Sequence, residues 1–404
     1  MRRLLFLVHR IPYPPNKGDK ISSFNILRHF SRTWKIALGT YVDDPEDWQY
    51  VENLKEYCDD CCILPLPRSR KLTSSVRSVL TGEPLSIGYY RNQQMLDWLN
   101  GYSQDPTVGG IYVYGSSMAR FVRDAELPPE TPFILGADDV DSEKFAGYAE
   151  ASAWPMSLVY ARESRTLLEF EREMARRSSM TVFISEHEAS LFRRRAPDCA
   201  DKIMARKHGV DSDYFDPARD YENPYKSGER VFVFTGAMDY RPNVDAVAWF
   251  CKEVLPFIRN QFESFRFYIV GMNPSAEVKR LGELPGVIVT GAVPDVRPYL
   301  KYAHCACLPL QIARGIQNKA LEALAMSLPV LGSRAAMTGI VTPDDAAVYL
   351  ADDPASMIEK GLELLAADRI DNMSGRECVR ANYNWDTNLR HLESVLDGFH
   401  KAAQ

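Results

Sequence analysis

Short runs of β-branched and aromatic residues alternate along this chain with longer segments of helical spacing. In the first half the apolar runs are Leu4–Val8, Lys35–Tyr41, Ile63–Leu66, Ile111–Tyr114, Phe133–Ala137 and Met180–Ile184. In the second they are Val231–Thr235, Phe265–Val270, Val287–Thr290, Cys305–Leu308, Val330–Gly332 and Ala347–Leu350. Helical segments fall between them, among them Lys20–Ser31 and a long charged one near Ser157–Arg177. Alternation of this kind predicts an α/β protein of two Rossmann-like domains, each a parallel sheet with helices on both faces. Asp-Pro, Asn-Pro and Ser-Gly punctuate Asp216–Gly228. The predicted division is therefore residues 1–215, residues 216–384 and a helical tail at 385–404.

At 404 residues the chain has room for two ordinary domains, and its 46% hydrophobic content suits a globular protein. The net charge of −6 argues against a nucleic-acid partner. No apolar run approaches the roughly 18 residues of a membrane span. The apolar start Leu4–Val8 stops at His9-Arg10, too soon for a signal peptide. A cytoplasmic protein is expected. Of eight cysteines, Cys58, Cys61 and Cys62 cluster, but no second pair or histidine group completes a zinc site. No structural disulfide and no resident metal or cofactor is expected.

The strand-like Cys305–Leu308 runs into Arg314-Gly-Ile-Gln-Asn-Lys-Ala-Leu-Glu322 and then Ala-Leu-Ala-Met-Ser-Leu-Pro-Val330. A buried strand entering a loop that opens a helix offers free amides and a positive dipole end to a diphosphate. Lys319 adds a full charge, and Glu322, one turn on, can accept two ribose hydroxyls.

That stretch resembles the donor site of glycosyltransferase family 4, enzymes of the GT-B fold. The resemblance implies two Rossmann-like domains facing across a cleft, a last helix crossing back to the first domain, and a nucleotide-diphosphate-sugar donor linked to UDP or GDP. Glu322 and Pro329-Val330 match the family pattern. Arg314 replaces its first glutamate, which touches the transferred sugar. Ser327 replaces the glycine after the helix, so a less regular cap is expected. The implied catalytic set is Lys319, Arg241 and Glu322. The implied donor contacts are Arg314, Gly315, Ile316, Gln317, Asn318 and Leu321, with Gly18, Gly236, Gly271 and Val293 from other loops.

Those loops follow strands, where open α/β sheets bind ligands. In His9-Arg-Ile-Pro-Tyr-Pro-Pro-Asn-Lys-Gly-Asp-Lys20, Gly18 permits close approach to donor phosphates, while His9 and Asp19 belong with the acceptor; a rigid proline turn without a ligand is the alternative. Phe234-Thr-Gly-Ala-Met-Asp-Tyr-Arg-Pro-Asn243 resembles the family's Gly-Arg phosphate loop, with Gly236 kept. Arg241 then reads as a phosphate ligand or as a surface arginine beside a helix. Val289-Thr-Gly-Ala-Val-Pro-Asp-Val-Arg297 suggests that backbone at Val293 meets the base. Gly271 lines the same pocket or serves a tight turn. Gly136-Ala-Asp-Asp-Val-Asp-Ser-Glu-Lys144 offers Asp138 and Asp141 to acceptor hydroxyls, with Asp141 as a helix cap the alternative. Its Asp139-x-Asp141 also imitates a metal triplet, the weaker reading.

The stretch from Cys61 to Gly82 holds no acid and contains Arg68, Arg70, Lys71 and Arg77, which suits either an anionic membrane surface or a solvated helix face. Taken together the motifs look most like a bacterial subgroup tied to exopolysaccharide and protein-sorting loci, the PEP-CTERM/EpsH systems. The resemblance then implies a retaining, metal-independent hexosyltransferase acting on a lipid-linked or other saccharide acceptor, cytoplasmic or peripheral at the inner membrane face. A GT-B scaffold that binds nucleotide sugar or partner proteins without transfer is the alternative. No Gly-x-Gly fingerprint and no Gly-Lys-Ser/Thr occurs, which removes dinucleotide oxidoreductases and P-loop enzymes.

Overall fold

The computed structural model describes residues 2–15, 18–67, 70–206, 209–313, 316–367 and 369–402. Two compact units emerge. One comprises Met1–His208 together with Trp385–Gln404, the other Gly209–Asn384.

Among the described residues, the first unit builds a seven-stranded sheet from β1 (Arg3–Val8), β2 (Lys35–Val42), β3 (Asp60–Pro65), β4 (Val108–Tyr114), β5 (Phe133–Ala137), β6 (Met180–Phe183) and β7 (Ile203–Ala205), in the order β3-β2-β1-β4-β5-β6-β7. Every pairing is parallel, for example Leu5 opposite Ala37 on one side and Ile111 on the other. Leu4, Leu5, Phe6 and Leu7 are all fully buried, because helices cover both faces and leave no wet side. β7 was not expected. At three residues it is too short to show a period, and pairing with β6 decides it.

The second unit repeats the scheme with β8 (Arg230–Thr235), β9 (Phe265–Val270), β10 (Val287–Gly291), β11 (Cys305–Leu308), β12 (Val330–Gly332) and β13 (Val348–Leu350), ordered β10-β9-β8-β11-β12-β13 and again parallel. Cys305 and Cys307 are small core residues of β11, both fully buried. All eight cysteines are free thiols.

The tail is the helix Trp385–Ala402, which belongs to the first unit. Trp385, Leu389, Leu392 and Leu396 recur at helical spacing and are buried with Phe6, Phe30, Trp34 and Ile134. Burying each such leucine is worth about 1.5–3 kcal/mol. Polar ties flank that seam: Asp386 meets His29 Nδ1 at 3.1 Å and Arg32 Nη1 at 2.6 Å, and Thr33 donates to Glu393 at 2.5 Å.

Candidate functional site

The chemistry-bearing residues of the second unit gather at the carboxyl ends of β8, β9 and β11. Gly236 directly follows β8 and Gly271 directly follows β9. A Cβ on Gly271 would fall 1.7 Å from the Gly236 carbonyl oxygen, so only glycine lets these two strand ends touch. A Cβ on Gly236 would lie 2.8 Å from Asn243 Nδ2 and 3.3 Å from Lys319 Cε.

Asn243, in the first turn of the helix Arg241–Glu253, is buried. Its Nδ2 donates to Ala237 O at 2.9 Å, and its Oδ1 accepts from Lys319 Nζ at 2.8 Å. One side chain thus ties the loop after β8 to the lysine of the helix Asn318–Ala325. Lys319 Nζ also lies 5.1 Å from the centre of the Phe234 ring.

Burial lowers the Lys319 ammonium to about 8 against the opposing charge of Glu322. Burial likewise pushes the Glu322 carboxyl up to about 7, opposed by Lys319. At the start of the same helix, the buried Asn318 Oδ1 has no hydrogen-bond partner among the described residues. First-turn amides, a cation with a lowered pKa and a carboxyl one turn on are therefore brought together.

The helix ends differently from expectation. Ser327 adopts a left-handed φ of 53°. Ser327 N–H donates to Leu324 O and Leu328 N–H to Ala323 O, each at 3.0 Å. These two bonds make a regular Schellman cap, with serine bearing the strain glycine avoids.

Other expected donor contacts separate. Arg241 is exposed, its guanidinium taken up by Asp245 at 2.6 Å and Glu277 at 3.2 Å. Leu321 is fully buried, so its side chain packs the core rather than lining a pocket. Ile316 and Val293 are half-buried against that same core. Beyond Val293, Arg297 forks onto Asp295 and lies 3.8 Å over the Tyr214 ring, fixing the loop after β10. Arg314 and Gly315 lie outside the described residues.

In the first unit, a second cluster sits at the carboxyl ends of β1, β4 and β5. His9 stacks on Tyr114 with ring centres 6.1 Å apart, and its Nε2 lies 3.4 Å from Asp19 Oδ2. Arg10 joins Asp19 at 2.9 Å and Asp43 at 3.0 Å. Burial pushes Asp19 up, but the His9 hydrogen bond and the Arg10 charge outweigh it and hold the carboxyl well below its ordinary range. The Tyr114 hydroxyl donates to Asp138 at 2.6 Å. Burial raises Asp138 despite that bond and the Arg206 charge, whose Nη2 is 4.0 Å away. Asp141 opens the helix Asp141–Ala151 and accepts from Ser116 Oγ at 2.6 Å. Gly18 opens the helix Gly18–Phe30, where a Cβ would meet none of the described residues within 4 Å.

Sequence reasoning missed Asn243, Tyr114 and Arg206. The one available signal for Asn243 was a buried-type polar residue following a proline in a first helical turn. Tyr114 and Arg206 read as strand and loop residues until the sheet aligns them.

Two parallel-sheet Rossmann-like units with this strand order are the architecture of GT-B glycosyltransferases. Residues 229–367 match the family model described as "Glycosyl transferases group 1". No curated protein is detectably similar in sequence. Among solved structures, the chain is similar to sucrose-phosphate synthase from Thermosynechococcus elongatus (15% identity, TM-score 0.69, all of both chains covered). It is also similar to Anabaena Alr3699/HepE in complex with UDP (13% identity, TM-score 0.66, 98% of this chain and 100% of that one). A glycosyltransferase from Rickettsia africae aligns at 12% identity and TM-score 0.64 over 99% of each chain.

Proposed function

We propose that this protein is a retaining glycosyltransferase of family 4 that moves a hexosyl group from a nucleotide diphosphate to an acceptor hydroxyl. The observation that carries this reading is the Lys319–Asn243 hydrogen bond at the open end of the Asn318 helix. A cation with a lowered pKa in the first turn of a helix suits an anion, and a diphosphate supplies one. Uridine is the first base to test, because the Anabaena protein was solved with UDP and with UDP-glucose.

In this scheme Lys319 and the first-turn amides take the charge that grows on the leaving diphosphate. Glu322 accepts the ribose hydroxyls. The leaving phosphate oxygen receives the acceptor proton on the face from which the sugar departs, so configuration is retained without a protein nucleophile. The lysine and amides supply the charge stabilisation, and the reading is of a metal-independent enzyme. His9, Asp19, Asp138 and Asp141 serve the acceptor. A lipid-linked saccharide of exopolysaccharide assembly, met at the inner membrane face, is the acceptor class proposed.

The test is thermal shift with UDP, GDP, ADP and their sugar conjugates in EDTA, followed by NMR of the product anomer. A ligand at a hundred times its Kd adds about 2.7 kcal/mol of stability. A nucleotide-selective shift and an anomer matching the donor are expected. Binding without transfer to any acceptor or to water would leave a nucleotide-sugar scaffold, and an inverted product would overturn the retaining mechanism.

A further inference from the structure

The helix Asp141–Ala151 and the helix Met156–Arg177 form a hairpin in the first unit. Between Glu150 and Arg162 the sequence holds no charged residue. Phe145, Tyr148 and Tyr160 pack together at centroid distances of 5.7–6.1 Å and close the hairpin. The remaining apolar side chains of the tip are left outside: Trp154 is 78% exposed, Leu158 63%, Met156 44% and Val159 37%. Past Ala161 the exposed positions of the same helix become charged, at Arg165, Glu169, Arg176 and Arg177. Apolar exposure is thus confined to the tip and stops abruptly, as expected when only that end meets a non-aqueous phase.

A second element joins the tip. Arg162 Nη2 donates to Ser78 O at 3.1 Å and Glu83 O at 3.2 Å, tying the hairpin to the end of the helix Arg70–Thr81. That end exposes Leu80 (82%) and Val79 (56%) next to exposed Arg77. This helix lies in the acid-free stretch from Cys61 to Gly82. Glu163, the one acid in the second helix's first two turns, is buried and accepts from Leu85 N, Ser86 N and Ser86 Oγ. The surface therefore combines a tryptophan-bearing apolar tip with a flank of basic sequence. Among nearby acids, Glu150 is the exposed exception.

We propose that this surface docks the first unit on a bilayer containing anionic lipid, with Trp154, Met156, Leu158, Val79 and Leu80 in the interfacial zone and Arg77 at the headgroups. Tryptophan favours that zone because it pairs a large apolar ring with an N–H donor. Apolar burial and attraction to anionic lipid add, which is the two-part footing peripheral binding needs. The inference deepens the membrane part of the proposed function and does not depend on the transfer chemistry.

The experiment is co-sedimentation of the full chain with vesicles of phosphatidylcholine mixed with phosphatidylglycerol, and of phosphatidylcholine alone. Binding to the mixed vesicles, weakened by salt, is expected. The double variant W154S/L158S should lower the partition by about a hundredfold, since each side chain gives up at least about a tenfold share of burial. F257S, which removes an exposed phenylalanine of the second unit, should bind as the native protein does. Thermal shift with UDP should be intact in W154S/L158S, which separates loss of docking from failure of the donor site. The proposal is overturned if the native protein stays in the supernatant, or if the double variant binds undiminished. It is equally overturned if sedimentation velocity without vesicles shows a native dimer that the double variant dissolves, because the tip would then cover a second copy.

Discussion

Lys319 Nζ donates to Asn243 Oδ1 at 2.8 Å across two helices that begin beside neighbouring strand ends. The pair has a division of labour: the lysine carries the charge, and the asparagine, held by Ala237 O, fixes where that charge sits. Replacing Lys319 by Met removes charge from the proposed leaving group. A loss of about 10²–10³ in kcat/KM is expected, the scale of a deleted transition-state donor, with little change in Tm. If the variant unfolds instead, the lysine is structural.

Asn243→Ala and Arg241→Ala separate the residue the structure places at the lysine from the one the sequence suggested. A lost hydrogen bond to a charged group costs about 1.5–3 kcal/mol. Asn243→Ala should therefore cut donor kcat/KM by about tenfold to a hundredfold. Arg241 is exposed and already paired with Asp245 and Glu277. Its removal should leave the donor KM within about threefold, as for other exposed ion pairs. The opposite ranking in steady-state kinetics would return Arg241 to the phosphate.

Glu322 and Lys319 give the unliganded protein a signed pH dependence. Glu322, raised to about 7, keeps its proton in the fold where the unfolded chain has lost it. Its contribution is present below the ordinary value of 4.5 and is lost as pH rises through about 7. Lys319, lowered to about 8, releases its proton early in the fold, so stability climbs again as pH rises from about 8 toward 10.5. Denaturation across this range should show a shallow minimum between the two, flattened in the double variant Lys319→Met/Glu322→Gln. Nucleotide affinity should fall above about pH 8, and calorimetry should show proton uptake on binding there.

Ser327 holds φ 53° in the Schellman cap of the Asn318 helix. Left-handed backbone costs a residue with a Cβ about 1 kcal/mol relative to glycine. Ser327→Gly should raise stability by up to about that amount, and Ser327→Val should lower it by more, read from urea midpoints.

Lys20, nearly inaccessible at 1% exposure, meets Asp47 at 2.7 Å inside the first unit. Lys20→Met strands the carboxylate and should cost about 3–5 kcal/mol, whereas Lys20→Met with Asp47→Leu should recover most of it. A double-mutant cycle by chemical denaturation checks this.

The two-unit α/β architecture and nearly every strand could be read along the chain, because parallel strands covered on both faces read as unbroken apolar runs: Phe133–Ala137, Phe265–Val270 and Cys305–Leu308 were legible to the residue. The spacing of Lys319 and Glu322 on one helix was legible for the same local reason. Tertiary structure alone decided the rest. Asn243 reaches Lys319 only because β8 and β11 are neighbours, and no period along the chain encodes that distance. Arg241 pairs with Asp245 on its own helix and with Glu277 on a different one, and only the second contact needs the tertiary fold. Ser327 kept a regular cap because Leu328 and Ala323 close the ring of hydrogen bonds whatever side chain stands between them. Local pattern fixes which face of an element is apolar, whereas contacts between elements fix which polar groups meet.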